Sequence, residues 1–424
     1  MRSLYTALFY TCVPLILGRL VWRGHKSPAY RQRWGERFGL YTKSAQSGVI
    51  WLHAVSVGEA EAAFPLVRAL SKRFPNIPVL VTNTTPTGSA RVRAVLGDTV
   101  QHVYLPYDLP DAIARFLNHF RPVLAVVMET EIWPNLFRAC HDRNIPLAIV
   151  NARLSERSVR GYERLPALAR ESLHAVTCIA AQTQADADRY LQIGALAQQV
   201  VVTGNLKYDQ ELPQGLLEQA KDLRTRLFGT RPVWIAGSTH DGEENAVLEA
   251  FKQVRGDFPN LLLVLVPRHP ERFDSVHTLC SAHGLKTLRR SEERTDAETD
   301  VFLVDTMGEL RLFYAASDIA FVGGSLVPVG GHNVLEPAML GVPVAFGPHM
   351  HNFQEIALKL LETGGAVRIA NSTELADWAK RLLSEPALRE EMAEKGKSLV
   401  TSGRGALARV EALVASLLEN PSPS

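Results

Sequence analysis

The stretch VIWLHAVSVGEAEAAFPLVRALSKRFPNIPVLVT (49–82) decides the fold. VIWLH (49–53) is a short, continuous apolar run, which is how a strand buried on both faces reads. Residues 59–74 then carry helical periodicity, and PVLVT (78–82) is a second buried run. Strand, helix, strand in this order predicts a parallel pair with the helix packed on one face.

The same unit recurs along the chain. HVYLP (102–106), VLAVVME (123–129), PLAIVNA (146–152), TCIAAQ (177–182) and VVVTG (200–204) read as further strands. Helical patterns lie between the strands at 86–96, 110–120, 133–143, 155–174 and 183–192. A bridging helix at 213–228 separates this series from a second one. There VWIAGS (233–238), LLLVLVP (261–267), FLVD (302–305), IAFVGG (319–324) and PVAFG (343–347) read as strands. Helices are predicted at 242–255, 271–283, 308–316, 333–340 and 352–362, and 372–419 is almost wholly helical. The fold class is α/β: two doubly wound, Rossmann-like domains facing each other across a cleft, at 48–210 and 211–424, behind an N-terminal anchor segment at 1–47.

The composition is that of a folded protein: 46% hydrophobic and 21% charged residues over 424 positions. A formal net charge of +2 argues against a nucleic-acid partner, but its distribution is uneven. Residues 1–50 hold eight basic residues and one acid, Glu36, which leaves −5 for the remainder. Residues 3–22 are mostly apolar and close to the length that spans a bilayer. Arg23, Lys26, Arg31, Arg33 and Arg37 follow at once, so a spanning helix would leave the rest of the chain in the cytoplasm. Pro14 and Arg19 weaken the span, and a helix lying in the interface competes with it. A cleaved signal peptide fits poorly, since no small-residue cleavage site follows and the basic cluster is on the wrong side, and a buried core helix is the remaining alternative. The four cysteines, Cys12, Cys140, Cys178 and Cys280, form no CxxC pair and fit a reducing compartment with no zinc site.

In open parallel sheets ligands bind beyond the carboxyl ends of the strands, so polar and glycine-rich residues there carry the chemistry. Four segments stand out. In HAVSVGEAEA (53–62), Glu59 is either an acid favoured by a helix N-terminus or a general base for an attacking hydroxyl. METEIWPN (128–135) places Glu129 and Glu131 beside Trp133 at the same edge. In VPRHPER (266–272), Arg268 and His269 follow a very apolar run, and an arginine there can grip a phosphate. GGSLVPVGGHNVLEP (323–337) crowds glycines at a strand end and leads into a helix expected to start near Asn333, an anion site with Glu336 one turn in to meet ribose hydroxyls. MGELRLFYAASD (307–318) supplies a second helix start, with Gly308 and Glu309.

No GxGxxG fingerprint and no complete Walker A occurs. Asp186 and Asp188 make a DxD string, but inside a helical pattern, where a solvated face is the simpler reading. His102, His277 and His283 have no ligand spacing and read as structural.

Taken together, the motifs resemble the lipid A Kdo (3-deoxy-D-manno-octulosonic acid) transferases of Gram-negative bacteria. The likeness runs in order through RxRxGERFG (31–39), WLHAVSVGE, TPTGSARV (85–92), YLPYDLP (104–110), METEIWPN, NARLSERS (151–158), GNLKYD (204–209), PRHPER, MGEL and GGSLVPVGGHNVLEP, covering essentially the whole chain. The resemblance implies a GT-B fold and an inner-membrane enzyme working on the cytoplasmic face. It implies transfer of Kdo from CMP-Kdo, a substrate and not a cofactor, to a lipid A precursor, with no metal. By the same likeness Glu59 is the general base, and Glu129 and Lys207 support the transition state. Pro267, Arg268, Met307, Gly308, Glu309, Asn333, Val334, Leu335 and Glu336 match the CMP-binding set.

Two rivals remain at this stage. One keeps the fold and uses a UDP-sugar, as in peptidoglycan assembly. The other is a non-catalytic, membrane-bound nucleotide-sugar sensor.

Overall fold

The computed structural model describes residues 1–42, 45–210 and 212–419. Among them, fourteen strands build two seven-stranded sheets in which every pairing is parallel. The first sheet holds β1 (Ile50–His53), β2 (Val79–Asn83), β3 (Gln101–Tyr104), β4 (Leu124–Met128), β5 (Leu147–Ala152), β6 (Cys178–Ala181) and β7 (Val200–Val202). Its order is β3-β2-β1-β4-β5-β6-β7. The second holds β8 (Val233–Thr239), β9 (Leu262–Pro267), β10 (Thr287–Arg289), β11 (Val301–Leu303), β12 (Ile319–Val322), β13 (Val344–Phe346) and β14 (Ala366–Arg368). Its order is β10-β11-β9-β8-β12-β13-β14. The strand order reverses between β1 and β4 in one sheet and between β8 and β12 in the other, which marks where each sheet opens a crevice.

Alternation along the strands divides the first core in two. Ile50, Leu52, Val126 and Met128 belong to one buried cluster, and Trp51, Ala125, Val127 and Ile149 to the other. Helices cover both faces, so the strands read as unbroken apolar runs. In the second sheet Trp234, Ala236, Leu263, Leu265 and Phe321 pack with Phe251 and Val254 of the helix Glu243–Arg255.

Three departures from the sequence reading have local causes. The helix expected over 155–174 is two, Glu156–Tyr162 and Pro166–His174, because Pro166 cannot continue the first and starts the second instead. The edge strands β10 and β14 have three residues each, too few for an apolar run to show. The third concerns the domain boundary, set by sequence at 211–424 for the second domain. Contacts group residues 1–210 with 403–419, and 212–402 by themselves.

The final helix, Ala406–Glu419, returns to the first sheet because that sheet has an apolar face to cover. Ala406, Val410 and Val414 are fully buried in the cluster that contains Ile50, Leu52, Leu66 and Val67. Asp209 fixes its start, accepting the N–H groups of Gly405 (2.6 Å) and Leu407 (2.7 Å). Gly403 packs so closely on Tyr208 that a Cβ there would lie 2.6 Å from the ring.

The helix Arg2–Lys26 is long and apolar enough to cross a membrane. Leu4, Leu8, Leu15 and Trp22 are each more than half exposed. The opposite stripe, through Tyr5, Phe9, Val13, Ile16, Leu20 and Gly24, is half-buried or buried along the whole helix. Its first turns are tied to the first unit: Thr6 donates to Asn135 (2.9 Å), and Tyr10 donates to Asp111 (2.6 Å).

The basic cluster after this helix is not all free for lipid. Arg33 pairs with Glu36 (2.7 Å) and donates to the His102 carbonyl (3.1 Å), while Glu36 accepts the Tyr104 N–H (2.8 Å). Arg37 is buried, lies over the Tyr104 ring and donates to the Thr84 carbonyl (2.8 Å). These two arginines clamp the edge of the first sheet, so their charge is spent inside the protein.

Candidate active site

Glu59 sits in the first turn of the helix Val57–Arg73, directly after β1. Ser56 caps that helix, accepting the Glu59 N–H, and donates its hydroxyl to Glu59 Oε1 (3.0 Å). Oε2 accepts the Val55 N–H (2.7 Å). The acid therefore does start a helix, and each carboxylate oxygen keeps a lone pair beyond these bonds. Burial, then the negative charge of Glu129 and of Glu131, pushes the carboxyl up to about 7, against the Val55 and Ser56 bonds that hold it down.

Glu129 is the first residue after β4, on the other side of the strand-order reversal. It holds a left-handed backbone, φ +58°, an uncommon state for a non-glycine residue and one that re-aims the side chain out of the strand direction. The turn is held by the Glu129 N–H bound to the Val150 carbonyl (3.0 Å) and by the Tyr190 hydroxyl donating to the Glu129 carbonyl (3.2 Å). Lys207 Nζ lies 3.5 Å from Glu129 Oε1, and both side chains are mostly buried.

Asn151 places Lys207. Its φ is +52°, within an irregularity between β5 and β6, and its Oδ1 accepts the Leu206 N–H (3.0 Å). Asn205 Oδ1 accepts the Lys207 N–H (2.9 Å), and Asn205 Nδ2 donates to Gln182 (2.9 Å). Sequence reasoning missed this amide network, though NARLSERS and GNLKYD both signal it by polar residues at strand ends. Glu131 is raised by burial and by the Glu129 charge.

In the second unit the expected nucleotide residues lie beyond the carboxyl ends of β9, β11 and β12. Pro267 ends β9, and Arg268, exposed, is fixed by its N–H to the Thr239 carbonyl (3.0 Å). Met307 is exposed, and Gly308 has φ +89° with open space where a Cβ would stand. Glu309 accepts from Arg290 (3.0 Å) and from the Thr306 hydroxyl. Val334 and Leu335 are buried, and Glu336 pairs with Arg311 (3.0 Å).

Two expectations about the glycine-rich turn are corrected. The helix after it begins at Leu335, not Asn333, and has five residues; Asn333 Oδ1 accepts the Leu335 N–H (3.1 Å). The anion held by the glycine turn belongs to the protein. Buried Glu243 accepts the N–H groups of Gly324 (2.6 Å), Ser325 (2.9 Å) and Leu326 (2.8 Å), and that of His240 (2.9 Å). GSTHDGEEN (237–245) was not singled out, although it follows the strand-end rule that found the other segments.

Asp186 is also not the solvated residue expected. It is buried, accepts the Leu154 N–H (3.0 Å) and the Thr183 hydroxyl (2.6 Å), and serves the start of the helix Gln184–Gln192. Asp188 accepts from Gln184 (2.8 Å).

Residues 32–210 match the family model described as 3-deoxy-D-manno-octulosonic-acid transferase (kdotransferase), and residues 239–399 match that of glycosyl transferases group 1. The chain is 44% identical to the 3-deoxy-D-manno-octulosonic acid transferase of Haemophilus influenzae over 99% of both chains. It is 37% identical to that of Bordetella pertussis, covering 96% of this chain and 97% of the relative. Among solved structures, the UDP-GlcNAc 2-epimerase from Neisseria meningitidis bound to UDP-GlcNAc shares the fold: TM-score 0.56, 17% identity, 88% of this chain and 100% of that one. With two parallel sheets, each reversing strand order once, the fold is of the GT-B type. The chain is a glycosyltransferase that belongs to the 3-deoxy-D-manno-octulosonic acid transferase family.

Proposed function

We propose that this protein transfers Kdo from CMP-Kdo to a hydroxyl of a lipid A precursor of the lipid IVA type, in lipopolysaccharide core biosynthesis, on the cytoplasmic face of the inner membrane. The observation that carries the reading is Glu59: a carboxyl pushed up to about 7 at the strand-order reversal, beside the Glu129–Lys207 pair.

Glu59 takes the proton of the acceptor hydroxyl as its oxygen attacks the donor carbon. The bond from that carbon to the phosphate oxygen breaks, and its electron pair leaves with CMP. The donor carbon gains cationic character on the way, which the Glu129 carboxylate favours, and Lys207, 3.5 Å from that carboxylate, holds it in place. Arg268 meets the charge left on the phosphate. These side chains leave no step that calls for a metal. The exposed apolar stripe of the helix Arg2–Lys26 keeps the enzyme at the lipid surface where its acceptor resides.

The test is detergent-solubilised protein incubated with CMP-Kdo, the lipid A precursor and EDTA, with the lipid weighed by mass spectrometry. Gain of one or more Kdo masses supports the reading and counts the units transferred. An unchanged lipid with intact donor and folded protein overturns it in favour of another donor base or acceptor.

A further inference from the structure

His240 and His332 stand outside the mechanism above. His240 follows β8, and His332 lies in the loop after β12, so they flank the strand-order reversal of the second sheet. Their Nε2 atoms are 2.8 Å apart. The ring planes lie within 7° of parallel with centroids 5.1 Å apart. That separation is the N···N distance plus the two ring radii, so the imidazoles meet edge to edge on one line, the geometry of an N–H···N hydrogen bond.

Such a pair has restricted proton states. In the neutral pair one ring donates through Nε2–H and has a bare Nδ1; the other accepts and carries Nδ1–H. One added proton goes to the bare Nδ1, and the pair then presents a donor at both outer nitrogens.

The surroundings hold the pair in place. Glu243 binds the backbone N–H of His240 and of Gly324. Gly324, at φ +66°, sits so close that a Cβ there would lie 2.9 Å from His332 Cδ2. The His269 ring meets His240 edge-on at 5.2 Å. The charges acting on His240 are His269, Arg268 and Arg272, opposed by Glu244; those acting on His332 are His240, Arg268 and His269. Burial first, and then the neighbouring basic side chains, hold His332 down to about 3 and lower His240, which favours the neutral pair.

We propose that His240 and His332 form a proton-linked subsite for the nucleotide phosphate, taking up one proton from solvent as a phosphomonoester dianion settles beside Arg268. This rests on the reading that the chain uses a nucleotide-activated sugar. The leaving group of that reaction gains its second negative charge as the bond breaks; beside the fixed charge of Arg268, the pair adds a positive charge that arrives only with the anion.

The experiment is calorimetric titration of the detergent-solubilised full chain with CMP and, separately, UMP, near pH 7.5 in two buffers of different ionisation heat. Wild-type protein is expected to take up close to one proton per CMP bound, with Kd rising about tenfold per pH unit above neutrality. His240→Asn and His332→Asn, with His240→Gln and His332→Gln as folding alternatives, should bind CMP through Arg268 with little proton uptake and a flat pH dependence. His269→Asn should keep the uptake. Unchanged uptake in the variants at both dyad positions overturns the subsite and leaves the transferase reading intact. Dyad-dependent uptake with UMP and no CMP binding keeps the subsite and overturns the cytidine donor. Failure of both nucleotides to bind overturns both.

Discussion

A carboxylate has more lone pairs than Glu59 spends on its helix, and its environment decides what the remainder can do. The unfolded carboxyl titrates near 4.5 and the folded one at about 7, so the folded protein holds the proton more tightly. Two consequences follow from that sign. Transfer needs the ionised form, so kcat/KM should fall as pH drops through about 7, and stopped assays across pH 5.5–8.5 check this. Stability runs the other way, being lost as pH rises from the unfolded value through the folded one. Above neutrality the ionised Glu59 costs the fold on the order of 2–3 kcal/mol. Glu59→Gln should therefore abolish transfer, raise Tm by several degrees near pH 8 and change it little near pH 4.5. Lys207→Met leaves Glu129 without its cation in a mostly buried site. It is expected to lower kcat by about 10²-fold and to cost up to about 3 kcal/mol by chemical denaturation. Glu59 and Glu129 stand out in the sequence because each lies in a polar motif at a strand end, whereas Lys207 enters only through the family resemblance. The sequence pattern could not show that Glu129 reaches its place through a left-handed backbone, nor that Glu243 fills the glycine turn. Both depend on which backbone N–H groups converge in space.

At the scale of elements, strands and helices with a full period were legible and irregular pieces were not. The helices at 86–96 and 110–120 begin and end where periodicity and Pro86 or Pro110 place them. The helix expected at 333–340 is present but shorter, Leu335–Met339, because little more than one turn leaves periodicity nothing to fix its ends. Two elements carry predictions of their own. Asp209 accepts two N–H groups at the start of the last helix, so Asp209→Ala should destabilise the first unit by about 1–2 kcal/mol, read as a lowered urea midpoint. The helix Arg2–Lys26 is bonded to the first unit through its first turns, Thr6 to Asn135 and Tyr10 to Asp111. A helix crossing the bilayer could not keep those contacts, so it should lie along the lipid surface with its N-terminus on the side of the catalytic residues. A cysteine introduced at Ser3 should resist an impermeant maleimide in intact spheroplasts and react in inverted vesicles. The reverse pattern would establish a span.

For the whole molecule, alternation of strand and helix was enough to read two sheets, all seven strands of the first and five of the seven in the second. What alternation cannot reveal is which sheet a late helix covers. Residues 372–419 are nearly all helical, and only burial separates 403–419, which close the first core, from the helices that complete the second. Residues 212–402 enclose their own core and should fold when expressed alone, giving a cooperative melt. Residues 1–210 alone should aggregate, because the Leu52 and Val67 face lacks Val410 and Val414; adding the helix Ala406–Glu419 as a separate peptide should restore solubility.

Seen from the ribosome, that closing helix sets a schedule. The larger part of the first unit is made before the second, and it cannot seal its core until residues 406–419 leave the exit tunnel, after the whole second unit has been made. At ~5–20 residues per second the wait is roughly 10–40 s, during which Ile50, Leu52 and Leu66 lie open on a nascent chain whose apolar first helix has already emerged. The first unit, begun first, is thus the last to mature, and a product that stops short of residue 406 leaves its core open.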